Sequence, residues 1–268
     1  MAGADTTDGA TVDGDTDDIV TMEGIHKRFG EVVALQDVDL HLERGEVLAL
    51  AGDNGAGKST LIKCLAGAHQ PDEGTITIDG ETVDIDSPRT SKRLGIETTF
   101  QDLAIAENLT VTQNIFLGRE AVSGPNTVFG FLDKDRMRTR ASQLLDDLEI
   151  NVAPDAKLSN LSGGERQLVA ISRTMLSEPK IVIMDEPTSA LSVEGAERVL
   201  DLIGRMQDQG ISILLISHNL EYMRQVADRI HVLHRGTDAG TLDAKGATRD
   251  DIVSRMIGGM PDEEQQTA

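Results

Sequence analysis

One stretch constrains this chain more than any other: Gly52-Asp53-Asn54-Gly55-Ala56-Gly57-Lys58-Ser59. It has the form GxxxxGK[ST], follows the apolar run Val47–Ala51, and precedes a helical pattern through Leu61, Ile62 and Leu65. Strand, glycine-rich turn and helix in that order aim backbone N–H groups at one point beside a positive helix N-terminus. Phosphate oxygens bind at such points. The residues expected to hold a nucleotide are therefore Gly52, Asp53, Asn54, Gly55, Ala56, Gly57, Lys58, Ser59 and Thr60. Lys58 would reach the β- and γ-phosphates, and the Ser59 hydroxyl would ligate Mg²⁺. The bare pattern arises by chance about once in a hundred chains of this composition, so its context strengthens it considerably.

Two further apolar runs, Ile181–Met184 and Ile211–Ile216, are each followed by a polar turn and a helical pattern, which predicts buried parallel strands in an α/β layout. Residues 19–48 and 74–85 instead alternate apolar and polar positions with Asp-Gly punctuation, as antiparallel hairpins do. Residues 102–178 hold helical patterns such as Arg136–Leu148 and Glu165–Leu176, expected to form a helical subdomain inserted into the α/β core. Residues 1–18 carry six Asp and no basic residue, the composition of a disordered tail, and 261–268 reads as a shorter one.

The run at 181 ends in Asp185-Glu186, two acids at the carboxyl end of a strand, where α/β ligand sites form. Asp185 is placed to hold Mg²⁺ and Glu186 to polarise a water in line with the γ-phosphate. No Asn-Lys-x-Asp guanine-reading motif is found in the sequence. A second anion cradle follows from Leu161-Ser162-Gly163-Gly164-Glu165, which pairs a hydroxyl and two glycines with the start of an amphipathic helix.

With that second cradle, the sequence strongly resembles the ATP-binding-cassette (ABC) ATPases, whose signature is LSGGQ-like; the usual fifth residue, Gln, is Glu165 here. The resemblance covers about residues 19–260, as a single ABC ATPase domain: a P-loop core with an antiparallel β subdomain and an inserted helical subdomain. It implies that Phe29 stacks on adenine, that Gln101 touches Mg²⁺ and the attacking water, and that His218 contacts the γ-phosphate. It also implies that Leu161, Ser162, Gly163, Gly164 and Glu165 face the ATP of a partner subunit. Ser189-Ala190-Leu191-Ser192 matches the D-loop, but its usual final Asp is Ser192, so the loop's place at a dimer interface is carried over without the carboxylate's role.

Charge narrows the partners. With 46 acidic residues against 25 basic, the net charge is −21. Such a surface repels phosphate backbones, which disfavours nucleic-acid partners, and it fits a protein soluble at very high salt. The first ten residues lack the layout of a signal peptide, no apolar run approaches the ~20 residues of a membrane span, and the lone Cys64 excludes an internal disulfide. Asp102–Glu120 resembles monosaccharide importer ATPases of the ribose and xylose type. That resemblance implies a subunit on the cytoplasmic face of the membrane, bound to permease subunits and served indirectly by an external solute-binding protein. With one P-loop and one signature, the chain must pair with a second copy or with a different ATPase subunit. An importer ATPase for another small solute, and a soluble ABC ATPase acting on ribosomes or DNA, are the alternatives.

Overall fold

The three apolar runs are continuous because both faces of their sheet are covered. A computed structural model of the chain describes residues 17–99, 104–123 and 131–258. In chain order its first elements are β1 (Asp18–Phe29), β2 (Val32–Glu43), β3 (Val47–Ala51), α1 (Lys58–Leu65), β4 (Glu73–Ile78), β5 (Glu81–Thr82), α2 (Pro88–Arg93) and β6 (Ile96–Thr99). The middle holds α3 (Val111–Ile115), β7 (Val122–Ser123), β8 (Phe131–Leu132), α4 (Lys134–Asp147) and α5 (Gly163–Ser172). The last part holds β9 (Ile181–Asp185), α6 (Val193–Asp208), β10 (Ser212–Ile216), α7 (Leu220–Val226), β11 (Arg229–His234), β12 (Thr237–Asp243) and α8 (Arg249–Met256).

The central sheet runs β12-β11-β3-β10-β9-β6, parallel except for the antiparallel edge strand β12. Period-two alternation divides its side chains between two cores. Val47, Ala49, Val182, Met184, Ile213 and Leu215 pack with the helical side, including α5 and α6. Leu48, Leu50, Ile181, Ile183, Leu214 and Ile216 pack with α1 and the second sheet. That second sheet, β2-β1-β4-β5, is wholly antiparallel. Cys64 is fully buried in the same core, where desolvation pushes its thiol up to about 11.

Three expectations need adjusting. Strand β1 opens at Asp18, inside the segment read as a tail, because its backbone already pairs with Glu43. The inserted region is not wholly helical: Val122 and Ser123 pair antiparallel with Leu132 and Phe131, in strands too short to show a period. Helix α5 starts at Gly163, two residues sooner than the pattern indicated, and yields to a 3₁₀ turn over Arg173–Ser177. The start is set by Ser162, whose hydroxyl accepts from the Glu165 N–H as an N-cap. Among the described residues, no helix is long and apolar enough to cross a membrane.

Candidate functional site

Strand β3 delivers the chain into the P-loop at the carboxyl edge of the central sheet, and α1 leaves from it. The loop borders an open cleft of about 370 Å³ lined by Asp53 to Thr60, Asp185, Glu186 and His218, with Val32, Val33 and Ala34 from the start of β2. Gly57 has φ 103°, and a Cβ there would lie 2.9 Å from the Ala34 carbonyl oxygen. Only glycine lets the loop lie against β2 so closely. Gly52 is not on the cleft lining, and Lys58 Nζ donates to its carbonyl at 2.5 Å and to that of Asp53 at 3.1 Å. Burial pushes the Lys58 ammonium down, opposed by Glu186, Asp53 and Asp185.

The paired register of β9 and β10 sets Ile216 beside Asp185, which brings the end of β9 next to His218. Glu186 has left the strand with φ +52°, a conformation rare for a non-glycine residue, and its N–H is tied to the Ile216 carbonyl at 2.9 Å. Its carboxylate accepts from the His218 N–H at 3.3 Å, while the other oxygen lies 3.3 Å from His218 Nε2. Burial raises the Glu186 carboxyl above its ordinary range, partly offset by His218. Asp185 is raised for the same reason, offset by Lys63, Lys58 and His218. A carboxylate moved toward neutrality is a better proton acceptor than a solvated one. Asp185 and Ser59, both on the cleft, carry hard oxygen donors of the kind that Mg²⁺ prefers. Gln101 lies outside the described residues.

Phe29 is not among the residues lining this cleft. It ends β1 opposite Val32, exposed, with its ring edge-on to His69 at 5.1 Å between centroids and Lys27 Nζ at 5.6 Å. Sequence reasoning left Val32, Val33 and Ala34 without a role, because only the β1–β2 hairpin brings them to the cleft; His69, which follows α1, meets Phe29 and is not on the lining.

The signature residues form a second cleft, lined by Ser162, Gly163, Gly164, Glu165, Ala190, Leu191, Ser192, Glu194, Gly195 and Arg198, and sharing no lining residue with the first. Leu161 is not on it; that side chain packs against the helical-side core. Ser192 caps α6 by accepting from the Gly195 N–H at 3.2 Å, so a hydroxyl does the capping at the D-loop position that lacks Asp.

Fold and cleft are those of a P-loop ATP-binding domain. The ABC transporter family model matches residues 35–189, more than half of the chain, and the chain belongs to that family. It is 46% identical over 221 residues to the xylose/arabinose import ATP-binding protein XylG of Sulfolobus acidocaldarius, covering 82% of this chain and 86% of that protein. It is 41% identical to the ribose import ATP-binding protein RbsA of Clostridium tetani over 88% of this chain, but spans only 46% of that relative. An ATP-binding cassette solved as a dimer in a post-hydrolysis state, bound to ADP and Pi, superposes with a TM-score of 0.68 at 26% identity, over 85% of this chain and all of that one.

Proposed function

We propose that this chain binds and hydrolyses ATP to power import of a monosaccharide through a membrane permease. The observation that carries the reading is the pair of separate anion cradles, one at the P-loop and one at Ser162, on a chain with a single copy of each. One protomer then supplies half of each ATP site. The similarity to xylose/arabinose and ribose import proteins supports the sugar, and the dimeric cassette bound to ADP and Pi supports pairing.

In this reading Lys58 and the loop N–H groups grip the phosphates of ATP, and Phe29 borders the base. Ser162 and Gly164 of a second copy engage the γ-phosphate and close the dimer. Glu186 takes a proton from the attacking water, and His218 holds the γ-phosphate and the Glu186 carboxylate in register. Mg²⁺, held by Asp185 and Ser59 with Gln101, would neutralise charge on the phosphates. Loss of the bridging γ-phosphate lets the halves part, and Gln101 with the loop beyond it passes the motion to the permease. The chain acts as one domain over 19–260 at the cytoplasmic face of the membrane, and the permease and an external solute-binding protein choose the cargo.

The test is partner identification. Tagged Glu186→Gln protein, expressed in a high-salt host and trapped with ATP, is purified from gently solubilised membranes. A polytopic permease with a sugar-binding protein is the expected result. Ribosomal or DNA-processing partners without a membrane protein would overturn import and leave the ATPase chemistry intact.

A further inference from the structure

Within the signature cleft, the two Ser162 donors that would meet a phosphate are already occupied. Glu165 Oε2 accepts from the Ser162 N–H and from the Ser162 hydroxyl, each at 2.8 Å. The hydroxyl oxygen in turn accepts from the Glu165 N–H at 3.3 Å. These donors, the backbone bond foremost, hold the Glu165 carboxyl below its ordinary range, so it carries full charge at neutral pH. Among the described residues lining the cleft the one cation is Arg198, which is bonded to Glu194 at 2.6 Å. Two carboxylates and one guanidinium leave the lining net negative, although the proposed ligand is the triphosphate of a second copy.

We propose that Glu165 acts as an electrostatic latch on dimer closure: its carboxylate holds the Ser162 donors in the separate protomer and opposes the incoming γ-phosphate, so that ATP-driven pairing tightens as salt rises. This rests on the composite-site reading above and deepens it, making Glu165 a positioning residue that acts through Ser162. The sign is diagnostic. Attraction of an anion to a bare helix N-terminus weakens with salt, whereas repulsion between Glu165 and phosphate is relieved by it. Glutamine at this position keeps a side-chain oxygen able to accept from Ser162, so the capping box survives while the charge is lost.

The experiment measures ATP-dependent dimerisation of the full chain by sedimentation, in a Glu186→Gln background that slows hydrolysis, from 0.1 to 2 M KCl. Adding Glu165→Gln is expected to lower the dimer Kd about tenfold at low salt, with the gap shrinking to about twofold or less at 2 M as the Debye length falls below ~3 Å. Glu81→Gln removes one charge from exposed β5, away from the cleft, and should open no such gap. Matching unfolding midpoints establish that the variants fold alike. Equal or weaker pairing of the Glu165→Gln protein at low salt overturns the latch, as does a gain undiminished at 2 M. Absence of ATP-dependent dimers in every variant overturns the composite-site reading itself, and the latch with it.

Discussion

Helices α5 and α6 cross where Gly164 meets Gly195, and that contact can be priced. A Cβ on Gly164 would lie 2.9 Å from the Gly195 Cα, with the Gly195 carbonyl oxygen and carbon at 3.6 and 3.7 Å. Ordinary carbon–carbon contact is about 3.5–4.0 Å, so the helices must separate by roughly 0.6–1 Å. The atom in the way is backbone, and α6 is backed by buried Val199, Leu202, Ile203 and Met206, so it cannot yield cheaply. Overpacking of this kind costs about 1–3 kcal/mol. Alanine's helix propensity returns at most about 1 kcal/mol, and less in the first turn where Gly164 sits. Gly164→Ala is therefore expected to destabilise the chain by about 1 kcal/mol, a fall of about 2 °C in Tm for a domain this size. Gly163→Ala is the internal control: its Cβ would meet only Leu191 Cδ2 at 3.6 Å, so its stability should stay within about 0.5 kcal/mol of wild type. Urea unfolding of both variants, compared by midpoint at unchanged slope, decides the matter. Equal stabilities would refute the claim that this crossing is held at its closest approach.

Two further outcomes follow from buried polar groups. Asn114 is fully buried and accepts from the Ala106 N–H at 2.8 Å while donating to the Ala106 and Thr110 carbonyls at 3.0 Å. Asn114→Ala should cost roughly 2–3 kcal/mol in urea unfolding, because those backbone groups lose their partner inside the fold. His231, buried between β3 and β12, has its imidazole held neutral to lower pH than usual, by burial first and by Arg229 and His41, against the pull of Asp238. Below about pH 6.5 the unfolded chain takes up a proton that the fold resists, so this stability is present above that pH and is lost as pH falls. The drop in Tm between pH 8 and pH 5.5 should shrink in His231→Gln.

What was legible in the sequence is what local rules enforce. The P-loop must follow a buried strand and open a helix, and runs such as Ile181–Met184 are continuous because β9 is covered on both faces. Ser162 before two glycines and Glu165 is a capping box readable from spacing. Less could be read where distant segments decide. Strand β6 is only four residues long and takes its place by pairing with β9. Strand β11 lies beside β3 although its Val232 is 181 residues beyond the Ala51 it pairs with, and its buried His231 masks the apolar pattern. The meeting of β2 with the P-loop, the His69 contact of Phe29 and the left-handed backbone of Glu186 are likewise products of tertiary assembly.

The central claim is that each ATP site is built from two copies of the chain, and mixing two inactive variants tests it most directly. Lys58→Ala removes the P-loop grip and leaves the signature; Ser162→Arg blocks the signature and leaves the P-loop. Each alone should hydrolyse no ATP. Mixed in equal amounts, half of the dimers carry one intact site of two, so the account predicts recovery of about a quarter of wild-type activity. A mixture as inactive as its components, with both variants folded and pairing, would contradict it.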